Sequence, residues 1–262
     1  MLNGFRPKKH LGQHFLTDEY IAKRIADSIQ FNNGILLEIG PGKGALTNYL
    51  HKKWAEKLWL VEIDHDAVVR LNNDFPRLIP RIIEGDFLKL DMQSLFKGDT
   101  LSIAGNFPYN ISSQILFKVI EASKQVAQLT GMFQEEVARR ICSPPGNKNY
   151  GILSVLVQTY FETSYLFSVP PSAFMPVPAV NSGVIRLVLK KGFKLQGDER
   201  FFKTVVKTAF NQRRKMLSNA LSGIAGKSGI SKKYANLRAE ELLWKDFEEL
   251  AAELSEKIKS AR

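Results

Sequence analysis

The 262-residue chain has one cysteine, four histidines, and no apolar run approaching the ~18 residues a membrane span requires. Each scarcity excludes something. A lone cysteine, Cys142, forms no internal disulfide and fits a reducing, cytoplasmic setting. It follows an apolar helical pattern, which reads as a buried structural thiol. Four scattered histidines with one cysteine offer no metal-ligand spacing, so no metal is expected. The stretch from Leu2 to His10 is polar and basic with no apolar region behind it, unlike a secretory signal. Neither a membrane partner nor a metalloenzyme is expected.

What is abundant is positive charge, and it is unevenly placed. The formal net charge is +11. From Arg186 to Arg262 there are 18 Lys/Arg against 9 Asp/Glu, while residues 1–185 hold 19 against 17. Three of those 19 cations, Arg6, Lys8 and Lys9, sit in the first ten residues. A near-neutral body with a basic tail and a basic N-terminal arm is the footprint of a polyanion-binding surface. Charge alone does not say which polyanion.

Short apolar runs alternate with helical patterns over most of the chain. Thr17 or Asp18 can cap a helix to about Gln30, with Ile21, Ile25 and Ile29 on one face. Strands are expected at 35–39, 58–62, 78–84, 101–104 and 128–133, with helices at 45–53, 67–73, 112–121 and 135–142. Residues 166–169 and 184–189 read as two more strands flanking a proline-rich loop, suited to an antiparallel sheet edge. The expected class is a doubly wound α/β sheet. After Lys190 only helical patterns follow, at about 199–211, 213–221 and 240–259. A boundary near 190 therefore separates an α/β domain, 1–190, from a basic helical domain, 191–262.

In a doubly wound sheet, ligands sit beyond the carboxyl ends of the strands, where strand order reverses. Gly40, Gly42 and Gly44 end the first such strand and open a helix, and glycine lets backbone N–H groups approach a ligand closely. Glu62 closes the next strand, where an acidic side chain meets ribose hydroxyls in such folds. Asp86, after the third, can accept from an adenine's exocyclic amine. Taken alone the glycine loop would also suit NAD, but its spacing is GxGxG rather than GxGxxG, and it lacks the GK[ST] ending of a P-loop.

Asn106-Phe107-Pro108-Tyr109 ends the fourth strand and is the most informative tetrapeptide. An adenine exocyclic nitrogen is a poor nucleophile because its lone pair is delocalised into the ring. Accepting hydrogen bonds from its N–H groups favours a more pyramidal nitrogen. The Asn106 side-chain oxygen and the Pro108 carbonyl are suitable acceptors, and Tyr109 offers a flat face on which an extruded base stacks, worth roughly 1–3 kcal/mol. No Ser/His/Asp or Cys/His arrangement accompanies it, and this chemistry does not require one.

Five segments taken in order resemble the KsgA/RsmA family of ribosomal RNA adenine dimethyltransferases over nearly the whole chain. They are Lys9 to Leu16 (KHLGQHFL), Leu37 to Gly42 (LEIGPG), Gly105 to Ser113 (GNFPYNISS), Val169 to Pro178 (VPPSAFMPVP) and Ala209 to Lys215 (AFNQRRK). The resemblance implies a class I methyltransferase using S-adenosylmethionine. It implies cofactor contacts at His14, Leu16, Gly40, Glu62, Asp86 and Asn106, with Asn106 shared with the target amine. It implies catalytic positions at Asn106, Pro108, Tyr109 and Phe174, the last sandwiching the flipped adenine opposite Tyr109. The implied substrate is a pair of adjacent adenines in the hairpin loop near the 3′ end of small-subunit rRNA, within an immature subunit. Arg213, Arg214 and Lys215 would contact phosphates, and a monomer is expected. Two positions depart from the commoner pattern: His14 stands where Asn is usual, and Phe107 where Leu is usual.

Three rivals share parts of this pattern. One is the sister enzyme that methylates an adenine of large-subunit rRNA, against which the AFNQRRK and PPSAF segments weigh. Another is a DNA adenine methyltransferase, for which no groove-reading module is visible. The third is a non-catalytic assembly factor, which the intact Asn106, Pro108 and Tyr109 argue against.

Overall fold

In the computed structural model, residues 7–8, 11–31, 33–226 and 229–260 are described. Arg6, Lys9 and His10, singled out above in the basic arm or its motif, lie outside them. The first part of the chain runs β1 (Phe15–Leu16), α1 (Glu19–Asp27), β2 (Ile35–Ile39), α2 (Thr47–Trp54), β3 (Leu58–Glu62), α3 (His65–Asp74) and β4 (Ile82–Glu84). Then come α4 (Met92–Leu95), β5 (Leu101–Asn106), α5 (Ser112–Glu121), β6 (Val126–Gln134), α6 (Glu135–Cys142) and α7 (Ile152–Tyr160). β7 (Phe161–Val169), β8 (Phe174–Met175) and β9 (Ser182–Leu189) complete the strands. The remainder is helical: α8 (Glu199–Asn211), α9 (Leu217–Ala220), α10 (Ser222–Ala225), α11 (Lys232–Ala235) and α12 (Trp244–Ser260).

The main sheet has the order β4-β3-β2-β5-β6-β9-β7. β2 pairs in parallel with both β3 and β5, and β9 runs antiparallel to β6. The chain builds outward from β2 to β4, then returns to lay β5 on the other side of β2. The reversal between β2 and β5 opens a crevice at their carboxyl ends. Every residue of β2 is buried, as a strand covered on both faces requires. Beside it α1 buries Ile21, Ala22, Ile25 and Ala26, and Asp18 caps its start by accepting from the Ile21 N–H. Separately, β1 and β8 form a two-stranded antiparallel ladder that pairs Leu16 with Phe174.

Several expectations are corrected. The strand expected at 78–84 begins only at Ile82, because Pro76–Arg81 forms a 3₁₀ helix whose two prolines offer no N–H to a ladder. Residues 152–160, read as no element, form α7. Leu153–Val157 are buried and no residue of the helix is exposed. Its polar Ser154 and Gln158, four apart, donate to the Arg140, Ile141 and Ser143 carbonyls, so no solvent-facing stripe marks an amphipathic period. The helix expected at 213–221 shrinks to Leu217–Ala220. The Lys215 N–H closes a turn on the Gln212 carbonyl, and Met216 is extended. Cys142, expected buried, is half-buried at the end of α6.

The chain divides into two compact units, Met1–Ala138 with Glu162–Leu189, and Arg139–Phe161 with Lys190–Arg262. A single boundary near 190 is thus replaced by three crossings, with residues 139–161 joining the helical unit. Within that unit the buried Tyr150 donates its hydroxyl to the Leu242 carbonyl at 2.9 Å. The Gly146 N–H reaches the Glu240 carbonyl at 2.8 Å, and Tyr160 meets Phe193 edge-on. These long-range contacts decide membership, and no local pattern in 139–161 announces them. Among the described residues no helix is long and apolar enough to cross a membrane.

Candidate active site

One pocket lies at the carboxyl ends of β2, β3 and β5. It gathers His14, Leu16, Gly40, Glu62, Asp86, Asn106, Pro108 and Tyr109, eight of the residues singled out in the sequence. One wall is the loop after β2. Gly40 and Gly42 have φ of +64° and +52°, a region that L side chains avoid. Gly40 faces open space, its nearest neighbour being Pro108 Cδ at 3.9 Å from a would-be Cβ, so backbone can come directly against a ligand there. At Gly42 a Cβ would meet the Phe15 ring at 2.9 Å.

Glu62 ends β3 and is 4% exposed. Its carboxylate accepts from the Gly42, Ile63 and Asp64 N–H groups, each at 2.9 Å. Burial pushes this carboxyl upward, opposed by those three donors, which favour the ionised form. The turn they close fastens the glycine loop to the end of β3. Asp86 caps the short helical turn Phe87–Lys89, and one of its oxygens accepts from the Leu88 N–H at 2.9 Å.

The opposite wall is the arm, residues 11–16. His14 Nδ1 lies 2.9 Å from the Pro176 carbonyl, which can only accept, so the proton is assigned to Nδ1. The imidazole stacks on Tyr109 with ring centroids 5.5 Å apart and planes 26° apart. The His14 backbone carbonyl accepts from Asn106 Nδ2 at 2.9 Å. That bond orients the Asn106 amide and leaves its Oδ1 as the acceptor. The Tyr109 hydroxyl lies 2.5 Å from Ser182 Oγ, and burial holds its pKa above the usual phenol range.

Phe174 is the correction at this site. It is 2% exposed, packs in the core with Leu16, and does not line the pocket. The β1–β8 register turns it inward opposite Leu16, while its neighbour Met175 is 59% exposed. The ring that lies against Tyr109 is His14. Phe107, the other departure, is buried on Phe133 at 4.8 Å and fills the space over two glycines. A Cβ on Gly131 would approach it to 2.4 Å, and one on Gly105 to 2.9 Å. The larger aromatic ring therefore depends on glycine at both positions.

Arg213, Arg214 and Lys215 belong to the helical unit and not to this pocket. Arg213 donates to the Lys148 carbonyl at 3.0 Å and lies 3.8 Å from Glu240, so its guanidinium braces the unit. Arg214 and Lys215 are exposed.

Sequence reasoning missed Glu38. It is 1% exposed, lines the pocket floor, and accepts from Thr47 Oγ1 at 2.8 Å. Burial pushes its carboxyl to about 8, with the nearby Glu62 charge adding to the rise. One acid inside the apolar run Ile35–Ile39 was the available signal. Asp64 and Gln13 were also missed; their pairing spans 51 positions, beyond any local motif.

The family described as ribosomal RNA adenine dimethylase matches residues 4–258. A ribosomal RNA small subunit methyltransferase A of Bacteroides thetaiotaomicron is 46% identical over 259 residues, 98% of this chain and 97% of its own. One of Flavobacterium johnsoniae is 49% identical over 217 residues, 82% of this chain and 83% of its own. Among solved structures, a dimethyladenosine transferase from Plasmodium falciparum aligns with TM-score 0.78 at 23% identity, over 93% of this chain and 98% of its own. The 23S rRNA methyltransferase ErmE aligns with TM-score 0.69 at 24% identity, over 92% and 99%. At those identities the likeness is one of fold, the class I methyltransferase sheet with a helical C-terminal part, and the expected doubly wound α/β class is borne out.

Proposed function

The chain belongs to the ribosomal RNA adenine dimethylase family and is an S-adenosylmethionine-dependent rRNA adenine dimethyltransferase; on that premise we propose that it dimethylates two adjacent adenines. They lie in the hairpin loop near the 3′ end of small-subunit rRNA, within an immature small subunit. The enzyme acts there as a cytoplasmic monomer late in subunit assembly. The observation that carries the catalytic reading is the Asn106 amide, whose Nδ2 is committed to the His14 carbonyl so that Oδ1 accepts.

The pocket's own features fit the cofactor. Gly40 leaves a space that a Cβ would enter, and Glu62 and Asp86 stand at the two succeeding strand ends. Gly40, His14 and Leu16 would hold its methionine end, Glu62 its ribose and Asp86 its adenine. When bound, S-adenosylmethionine supplies a methyl group already activated by its sulfonium. The protein's task is then to present the target nitrogen. Asn106 Oδ1 and the Pro108 carbonyl accept from the adenine amine, raising its nucleophilicity and stabilising the positive charge that grows on it. Tyr109 supplies the surface on which the flipped base rests. Arg214 and Lys215 give the helical unit two exposed cations for phosphates.

The test uses methyl-labelled S-adenosylmethionine with unmethylated small subunits, large subunits, naked rRNA and duplex DNA, each digested to nucleosides. Dimethyladenosine from small subunits alone is expected. Label confined to large-subunit RNA would move the target to the other subunit. Asn106→Ala should lower the transfer rate about 10²- to 10³-fold with small-subunit binding retained. A near-normal rate in that variant would overturn the role given to its amide.

A further inference from the structure

The arm that forms one wall of the pocket is fastened differently at its two ends. From Phe15 onward it is stitched by backbone, through the β1–β8 ladder and the Thr17 N–H to the Ala173 carbonyl at 2.8 Å. Its start is held by side chains. Gln13 Nε2 donates to Asp64 Oδ2 at 2.7 Å, and its own Oε1 accepts from the Lys8 N–H at 2.8 Å. Lys8 Nζ reaches Asp64 Oδ1 at 2.5 Å and Asp66 at 2.9 Å.

Asp64 is built to be an anchor. Its side chain is fully buried, and its Oδ1 caps α3 by accepting from the Asp66 N–H at 3.1 Å. Its own N–H is held by Glu62 at 2.9 Å, so it shares a turn with the acid that closes β3. A buried carboxylate that accepts from two side chains and a backbone N–H is stabilised in its ionised form and resists displacement. Between the two fastenings, the arm offers the His14 carbonyl to Asn106 Nδ2. It passes so close to the reaction motif that a Cβ on Gly12 would lie 2.6 Å from Asn110 Oδ1.

We propose that Asp64, acting through Gln13 and Lys8, is a positioning residue for the methyl-transfer reaction: it clamps the arm so that the His14 carbonyl orients the Asn106 amide with Oδ1 toward the target amine. This rests on the catalytic reading of Asn106 given above. Without the clamp the arm stays attached through β1 and through the His14 side chain on Pro176 and Tyr109. Residues 11–13 loosen, however, and the His14 carbonyl is held less closely against the Asn106 amide. A misplacement on the scale of 1 Å is enough to cost up to 10²-fold in rate.

The test uses Lys8→Met, Gln13→Glu and the conservative Lys8→Arg in the full chain. Lys8→Met removes the charge while keeping the apolar stem, and Gln13→Glu sets a second carboxylate against Asp64. Amide exchange of residues 11–14 should quicken about tenfold in both variants, with Phe15 and Leu16 held by the ladder, as expected for a segment that opens locally. Turnover on small subunits should fall about tenfold, with KM for the subunit within twofold, while the thermal midpoint drops by only a few degrees and the protein stays folded at the assay temperature. Lys8→Arg should restore both readouts. Exchange at the wild-type rate in the two disruptive variants would show that Asp64 does not hold the arm. Faster exchange with wild-type turnover would show that holding it does not position Asn106. Should the wild-type protein methylate no RNA offered, the exchange measurement still decides the clamp, so its failure and that of the proposed function are told apart.

Discussion

The two walls of the pocket face one another but are held by different physics. The glycine-loop wall is an extension of the sheet: β2 is buried throughout, and Glu62 bonds three backbone N–H groups at its edge. Moving it means breaking ladder hydrogen bonds and exposing apolar core. The arm wall has only two residues in any strand, and its first half depends on Asp64, Gln13 and Lys8. A segment with few backbone partners opens at low cost, so cofactor exchange is expected to proceed on the arm side. Asn106 joins the two, being the last residue of β5 with its amide bonded to the arm.

The strongest way to break this contrast is Phe174→Ala. Phe174 is buried in the core and pairs with Leu16 through the β1–β8 ladder, so it anchors the arm's far end. Truncating a buried phenylalanine costs about 3–5 kcal/mol, through lost transfer energy and the cavity left behind. Denaturant unfolding should register that loss. A fully stable variant with reduced turnover would instead put Phe174 in contact with the flipped base.

The glycine-loop wall has its own signature in pH. Glu38 is held neutral up to about 8 by burial, well above the ordinary glutamate value of 4.5. Its contribution to stability is therefore fully present below about 4.5 and is lost as pH rises towards 8. In that window the unfolded chain has released a proton that the folded protein keeps. The slope is at most about 1.4 kcal/mol per pH unit, one proton's worth. Glu38→Gln should flatten it, as urea midpoints taken across that range would register. Parallel slopes for the two proteins would mean that Glu38 is ionised in the fold.

Gly42→Ala probes the seam between the walls. A side chain there must adopt φ near +52° and meets Phe15 of the arm at 2.9 Å. The strain is about 1–3 kcal/mol. It should weaken S-adenosylmethionine binding by roughly 10- to 100-fold. Calorimetric titration gives the measurement; unchanged affinity would mean that the arm yields freely even at its strand-paired end.

The same contrast explains how much could be read in advance. Gly40, Glu62, Asp86 and Asn106 were legible because a doubly wound sheet sets functional residues at successive strand ends, where apolar runs stop. The alternation that marks the runs therefore marks the site. The arm's clamp was not legible, since Lys8 and Gln13 meet Asp64 across 56 and 51 positions and none of the three disturbs a local pattern. Phe174 misled for a related reason. Its motif names an aromatic beside prolines, whereas its direction is set by register with a two-residue strand more than 150 positions earlier. Residues 139–161 are misplaced in the 1–190 domain for a like reason, because α7 has no solvent-exposed face to say which core it joins.

The smallest effect should come at the arm's backbone-stitched end. Thr17 makes two bonds to the Ala173 carbonyl, its N–H at 2.8 Å and its Oγ1 at 3.1 Å. Thr17→Val removes only the second, keeping the β-branched shape and the backbone bond. The hydroxyl is on an exposed residue, where water takes over its hydrogen bond, so the loss should be no more than about 0.5–1 kcal/mol. Exchange at Phe15 and Leu16 should stay at the wild-type rate, because the ladder to Phe174 and Met175 does not involve that side chain. If Thr17→Val loosened residues 15–16 as much as Lys8→Met is expected to loosen residues 11–14, both ends of the arm would depend on side chains. The wall would then be a single hinged flap, not a strand with one releasable end.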